Sequence, residues 1–240
     1  MKTLNPFSFF QLHPNALLIQ WKKDPSDQLL NEILTLKSEL STHLKEIKGI
    51  TQGYQSLLIL FEKPLKSISK KQNEILTIYN AISQFKEPIA KHWTLPVCYD
   101  PIFGYDLLSL SNQLEIEPTK LIELHSCSVY RVQFIGFLPG FLYLNGLPKV
   151  LNTQRKAIPS PKVQPGSVGI GGSQTGIYPI ESPGGWHIIG NTPVNLFNPE
   201  AKFPCFAESG DKISFEPISQ SEYAKIKKAY TKGTYTLKND

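Results

Sequence analysis

Between residues 169 and 190 the chain reads GIGGSQTGIYPIESPGGWHIIG, and seven of its sixteen glycines fall in these twenty-two positions. Glycine lets a backbone N–H approach a ligand closely. Gln174, Thr175 and Tyr178 place side-chain donors and acceptors beside Gly171, Gly172 and Gly176. Such a set can hold a small anion through main-chain amides at a loop rim. A second reading stays open at this point: glycines also serve bulges and tight turns of a β-barrel, with Tyr178 and Trp186 packed in its core.

Known phosphate and hydrolase motifs do not account for the stretch. Gly171 and Gly176 have P-loop spacing, but Ile177 stands where the phosphate-reaching lysine belongs. A dinucleotide fingerprint starting at Gly169 and Gly171 meets Gln174 in place of its third glycine. No Gly-x-Ser-x-Gly elbow surrounds Ser167, Ser173 or Ser182. There is no His-Glu-x-x-His helix, and Cys98, Cys127 and Cys205 lie far apart, so neither a metal site nor a disulfide framework is expected.

The bulk composition narrows the field further. Hydrophobic residues make up 40% and charged residues 19% of 240, which suits a globular chain with a real core. The net charge of +5 comes from scattered lysines, with Arg131 and Arg155 the two arginines, so nucleic acid is not an expected partner. The amino terminus, MKTLNPFSFF, lacks a signal-like apolar run, and no segment approaches the roughly 18 apolar residues of a membrane span. A cytoplasmic protein without membrane contact is expected.

The elements that must position these residues fall into two textures. Ala16 to Trp21 is a strand-length apolar run, and Leu29, Ile33, Leu36, Leu40 and Leu44 mark one face of a helix after Asp24-Pro25. Ser56 to Phe61 repeats the strand, and Ile68, Ile75, Tyr79 and Ile82 repeat the helix. Strand, helix, strand, helix predicts a small α+β lobe over residues 1–90. His92 to Tyr99 then reads as a strand, with short helices at Gly104 to Leu114 and Pro118 to His125. From Val129 to Pro217 come short runs broken by Gly, Pro, Asn and Ser: VYRVQFIGF, SVGIG, IYPI, WHIIG, VNLF and KISFEPI. They indicate a β-barrel or sandwich. Ser219 and Glu222 form a capping box for a last helix.

Five segments carry a resemblance. PVCYDPIFGYDL at 96–107, ELH at 123–125, IGFLPGFLYL at 135–144, GSVGIGGSQTGIYP at 166–179 and SPGGWHIIGNTP at 182–193 closely resemble the PxpB/KipI family, also described as allophanate hydrolase subunit 1. The resemblance implies an α+β protein: a small ferredoxin-like lobe, then a cyclophilin-like β-barrel over residues 91–240 that includes the terminal helix. It implies a component of bacterial ATP-dependent 5-oxoprolinase, a hydrolase that opens a lactam to glutamate and is inactive without PxpC/KipA-type and PxpA-type companions. ATP, with Mg2+ as counter-ion, would be bound together with the partner subunit. Two alternatives belong to the same resemblance: a KipI-like inhibitor of a sensor histidine kinase, and an allophanate hydrolase subunit acting on urea-derived carboxylates.

The same resemblance suggests roles for residues. The amides of Gly171, Gly172 and Gly176 would face developing negative charge, and Arg155 would clamp a phosphate or the substrate carboxylate. His125 would carry protons, or would cap the C-terminal end of its helix. Phe137 and Trp186 are assigned to the substrate site with Gln174, Thr175 and Tyr178, while these aromatics, like Phe141 and Tyr143, also suit a core. Ser160 and Asn191 stand where the family commonly has arginines, which points to altered anion binding or to a site completed by a partner.

Overall fold

The computed structural model describes residues 6–240, so part of the amino-terminal segment read above lies outside the described residues. The chain is a mixed α+β protein made of two compact units, Met1–Pro88 and Ile89–Asp240.

The first unit runs β1 (Phe7–His13), β2 (Ala16–Trp21), α1 (Asp27–His43), β3 (Ile47–Gln52), β4 (Ser56–Phe61) and α2 (Ile68–Ala81). Its sheet has the order β1-β2-β4-β3 and is antiparallel throughout. Alternate residues Leu17, Ile19 and Trp21 of β2, and Leu57, Ile59 and Phe61 of β4, share a core with Leu29, Ile33, Leu36 and Leu40 of α1. The strand period of two and the helix period of 3.6 thus meet on one side of the sheet. Ser26 and Ser67 cap the helices by accepting from the N–H groups of Leu29 and Lys70. Two strands, β1 and β3, go beyond the sequence expectation, and both lie on the edges of the sheet. Edge strands are paired and packed on one side only, so their residues lack a clear alternation.

The second unit continues with β5 (His92–Val97), α3 (Leu107–Leu114), α4 (Pro118–Ser126), β6 (Val129–Ile135), β7 (Leu142–Asn145), β8 (Ser160–Val163), β9 (Ser167–Gly171) and β10 (Gln174–Ile177). After these come β11 (Ser182–Gly184), β12 (His187–Asn191), β13 (Lys212–Pro217), α5 (Gln220–Thr231) and β14 (Lys238–Asn239). Eight strands form one sheet in the order β12-β9-β10-β7-β6-β13-β5-β14, parallel only between β13 and β5. Cys98, just past β5, exchanges two backbone hydrogen bonds of 2.9 and 3.0 Å with Asn191 at the end of β12. The two far parts of the sheet therefore meet.

One face of this sheet carries Leu95, Tyr130, Val132, Leu142, Leu144, Val168, Ile170, Ile177 and Phe215 into the main core. The opposite face of β9 and β10 presents glycines, covered by Phe141, Val163, Tyr178 and Trp186. The β8–β11 pair is a separate two-stranded piece. The expected strand at VNLF is not formed. Val194 and Leu196 are buried from a loop instead, because an apolar run can serve the core without joining a ladder. The capping box at Ser219 and Glu222 is present at the start of α5.

Candidate functional site

Gly171 and Gly176 explain the glycine-rich stretch. A Cβ on Gly171 would lie 2.7 Å from three atoms of the Trp186 indole, and one on Gly176 would lie 2.8 Å from both Trp186 Cζ3 and the Leu142 carbonyl oxygen. The missing side chains make a floor on which the indole rests.

This corrects the expectation of free amides at Gly171, Gly172 and Gly176. Gly171 pairs with Gln174 in the β9–β10 ladder, Gly176 pairs with Gly169 and Tyr143, and the Gly172 N–H donates to Thr153 O at 2.7 Å. A backbone donor spent on a neighbouring strand is not available to a ligand.

Above the floor lies a cavity of about 340 Å³, walled by Phe137, Phe141, Tyr143, Tyr178 and Trp186, with Arg155 at its rim. Phe141 organises the wall. Its ring meets Phe137, Tyr178 and Trp186 edge to face, with centroids 5.7, 5.0 and 5.6 Å away. Such T-shaped pairs suit the ring quadrupoles. The Arg155 guanidinium carbon lies 5.7 Å from the Trp186 ring centroid, a cation–π contact. Phe137 holds a left-handed backbone, φ 68°, and is 64% exposed. Strain of this kind in a bulky residue persists only where the surroundings impose it, and it clusters at ligand sites.

Larger hollows occur in the first unit. One of about 740 Å³ is lined by Glu46, Lys70, Lys71 and Glu74 among others. There Lys71 pairs with both Glu46 and Glu74, so much of its charge is already spent. An apolar concavity with one convergent cation is the better candidate for a small ligand.

Burial pushes the Tyr178 phenol up to about 12, although the Trp186 backbone N–H donated to its oxygen works the other way. Burial also raises Tyr143, against the nearby Arg155 charge. Both hydroxyls stay protonated at neutral pH and can donate to a ligand oxygen. The arrangement can recognise a small planar ring through its faces and an attached anion through Arg155.

The structure separates the expected site residues into three groups. Arg155, Phe137, Tyr178 and Trp186 come together around the cavity, joined by Phe141 and Tyr143. Gln174 lies across the ladder from Gly171, hence on the same sheet face, nine-tenths buried and with no partner for its Nε2 among the described residues. Thr175 and His125 point to the other face, inside the main core.

His125 has no solvent exposure. Its Nε2 lies 2.9 Å from Thr175 Oγ1, whose own proton goes to Gly169 O at 2.9 Å. Nε2 must therefore carry the ring proton, and Nδ1 accepts from the Tyr99 hydroxyl at 2.8 Å. With every polar atom used and the ring stacked on Phe215 at 4.8 Å, burial drives its pKa down to about 3. His125 is a neutral core residue here. That corrects the proton-carrier reading, and it removes a charged helix cap as well.

Ser160 and Asn191, the positions lacking the family's arginines, are both engaged. Ser160 Oγ accepts from Lys156 Nζ at 2.7 Å, and Asn191 bonds Pro165 O and the Tyr223 hydroxyl at 2.9 and 2.8 Å. Sequence reasoning missed Lys156 and the Gly184-Gly185 wall of the cavity. The Gly-Gly pair just before Trp186 was the available signal.

Among the described residues no cluster of His, Cys, Asp or Glu is arranged to hold a metal ion, and no helix is long and apolar enough to cross a membrane. A sheet with an aromatic cavity on its glycine face and an arginine at the rim gives this α+β protein a candidate site for a small ligand. Residues 7–207 match the family model described as carboxyltransferase domain, subdomain C and D. The chain belongs to this family, in the branch that contains the B subunits of 5-oxoprolinase.

The 5-oxoprolinase B subunit of Bacillus subtilis (strain 168) is 37% identical over 176 residues, covering 73% of this chain and 69% of the relative. Among solved structures, TTHA0988 is similar with a TM-score of 0.73 and 27% identity over 85% of this chain, which spans only 40% of that longer protein. The Kluyveromyces lactis urea carboxylase shares the fold at a TM-score of 0.80 and 16% identity, covering 98% of this chain and 24% of the enzyme.

Proposed function

We propose that this chain is the B subunit of an ATP-dependent 5-oxoprolinase, acting with PxpC/KipA-type and PxpA-type companions to open 5-oxoproline to glutamate in the cytoplasm. The observation that carries the reading is the aromatic cavity with Arg155, found in a chain 37% identical to a named B subunit. A five-membered lactam is flat enough to lie among Phe141, Tyr143 and Trp186, and its carboxylate suits a guanidinium. Gln174 adds an unspent amide donor on the same sheet face.

The cavity does not fit a nucleotide. One arginine cannot balance a triphosphate, and a space of about 340 Å³ lies near the lower end of small-ligand sites. We therefore assign ATP and its Mg2+ to a composite site with a companion subunit. ATP would activate the lactam by phosphorylating its amide oxygen, and this chain's part is to bind and orient the ring.

For the architecture we propose a ferredoxin-like first unit with β1 as its edge strand, and a cyclophilin-like barrel in the second. The sheet order β1-β2-β4-β3 and the Cys98–Asn191 bridge support these assignments. Three free thiols, at Cys98, Cys127 and Cys205, support a reducing compartment.

Reconstitution tests the function. The purified chain with its companions is expected to form glutamate and ADP from 5-oxoproline and ATP, and to do neither when this chain is omitted. A complete mixture that turns over another amide but not 5-oxoproline would reject the substrate.

A further inference from the structure

Asp106 occupies the N-cap position of α3 and makes no side-chain capping bond with it. Its Oδ2 accepts instead from the Ile188 N–H at 2.8 Å and from Lys156 Nζ at 2.7 Å. Its own N–H donates to Ile188 O at 2.9 Å. Lys156 Nζ also donates to Ser160 Oγ at 2.7 Å and lies 5.5 Å from the Tyr105 ring centroid. The two charged side chains are 16% and 18% exposed.

A largely desolvated ion pair gives little stability over an apolar pair of the same shape, and its best-attested use is to select one arrangement of the chain. The arrangement selected here can be named. The Lys156 N–H donates to Gly185 O at 2.7 Å. Lys156 follows Arg155, and Gly185 precedes Trp186. The ion pair and this backbone bond therefore hold together the two dipeptides whose side chains meet as guanidinium and indole at 5.7 Å. The anchor itself is fixed, since Ile188 brackets Asp106 from both its N–H and its carbonyl.

We infer that Asp106 and Lys156 are positioning residues that hold Arg155 over the Trp186 edge of the cavity and so make it selective for a ring bearing a carboxylate. The inference rests on the substrate reading given above. Neither residue lines the cavity, so they act through Arg155 and not by touching the ligand.

Equilibrium titration of the full chain with 5-oxoproline and with 2-pyrrolidinone, the same ring without the carboxylate, tests it. Wild type is expected to prefer 5-oxoproline. Lys156→Met and Asp106→Asn should each reduce that preference by roughly tenfold, the value of one charge-assisted hydrogen bond, and leave 2-pyrrolidinone binding unchanged. Lys156→Arg, which keeps the charge, should retain most of the preference. A purely structural role would weaken both ligands together.

A ligand-free readout runs in parallel. The side-chain proton resonances of Arg155 should be shifted upfield by the Trp186 ring current in wild type and should return to ordinary positions in Lys156→Met and Asp106→Asn. A wild type without preference for the carboxylate overturns the substrate reading and this inference with it. Variants that keep both the preference and the ring-current shift overturn the inference alone.

Discussion

Substitution of Gly176 by alanine is the perturbation that best isolates the glycine floor. The new methyl group would sit 2.8 Å from the Leu142 carbonyl oxygen, 2.8 Å from Trp186 Cζ3 and 3.1 Å from Phe141 Cε1. The carbonyl belongs to the β7–β10 ladder and cannot retreat without stretching it, so the strain must be shared with the rings. Expelling the indole altogether would forfeit about 4–6 kcal/mol, from ~150–250 Å² of buried ring at ~25 cal/mol per Å². Overpacking strain costs only about 1–3 kcal/mol. The smaller cost wins: the indole shifts and stays in place.

The expected result is a melting temperature lowered by roughly 2–12 °C, at about 2–4 °C per kcal/mol for a chain of this size. A displaced Trp186 indole N–H resonance and weakened 5-oxoproline binding should accompany it. For Gly171→Ala the three nearest atoms all belong to the indole, at 2.7 Å, with no backbone atom among them, so it should move that resonance with a smaller thermal effect. Gly49→Ala, where a Cβ meets nothing within 4 Å, is the control, expected within about 0.5 kcal/mol of wild type. Should Gly171→Ala and Gly176→Ala behave like Gly49→Ala, the floor has no such role.

Other consequences are as direct. His125 is neutral in the fold with a pKa near 3, against an ordinary 6.5. Its contribution is complete above about pH 6.5 and is lost as pH falls toward 3, because only the unfolded chain takes up the proton; the slope is ~1.4 kcal/mol per pH unit. Urea titrations across that window should show this slope and its loss in His125→Gln, and equal slopes would count against a neutral His125. Arg155→Met should weaken 5-oxoproline binding by roughly ten- to a hundredfold, yet change stability by less than about 1 kcal/mol, since the side chain is exposed; calorimetry separates the two effects. Tyr178→Phe removes the acceptor of the Trp186 backbone N–H, and a loss of about 1–3 kcal/mol in thermal unfolding is expected.

Local periodicity made α1, α2, β2, β4 and the α5 capping box legible in the sequence, because each is decided by spacing within one segment. The β8–β11 pair was not legible, since Pro161 and Pro183 lie within these short strands and proline removes a ladder donor. The glycines stand out in the sequence, but their role does not. A missing side chain leaves either an open amide or room for a neighbour's ring, and only the position of Trp186, ten residues beyond Gly176, decides between them. His125 looks like a helix cap or a base from its place at the end of α4. Its actual partners, Tyr99 and Thr175, are 26 and 50 residues away. The aromatics of the cavity were readable by type, and the hold of Asp106 and Lys156 on Arg155 was not, because it joins three segments that only the fold brings together.

The most direct test of the account is a titration of the isotope-labelled full chain with 5-oxoproline, followed through the indole N–H signals of its three tryptophans. Trp186 should move together with the backbone amides of Gly184 and Gly185, while Trp21 and Trp93 stay in place. A silent Trp186, with no response at all or with shifts gathered around Trp21 or Trp93, would contradict it.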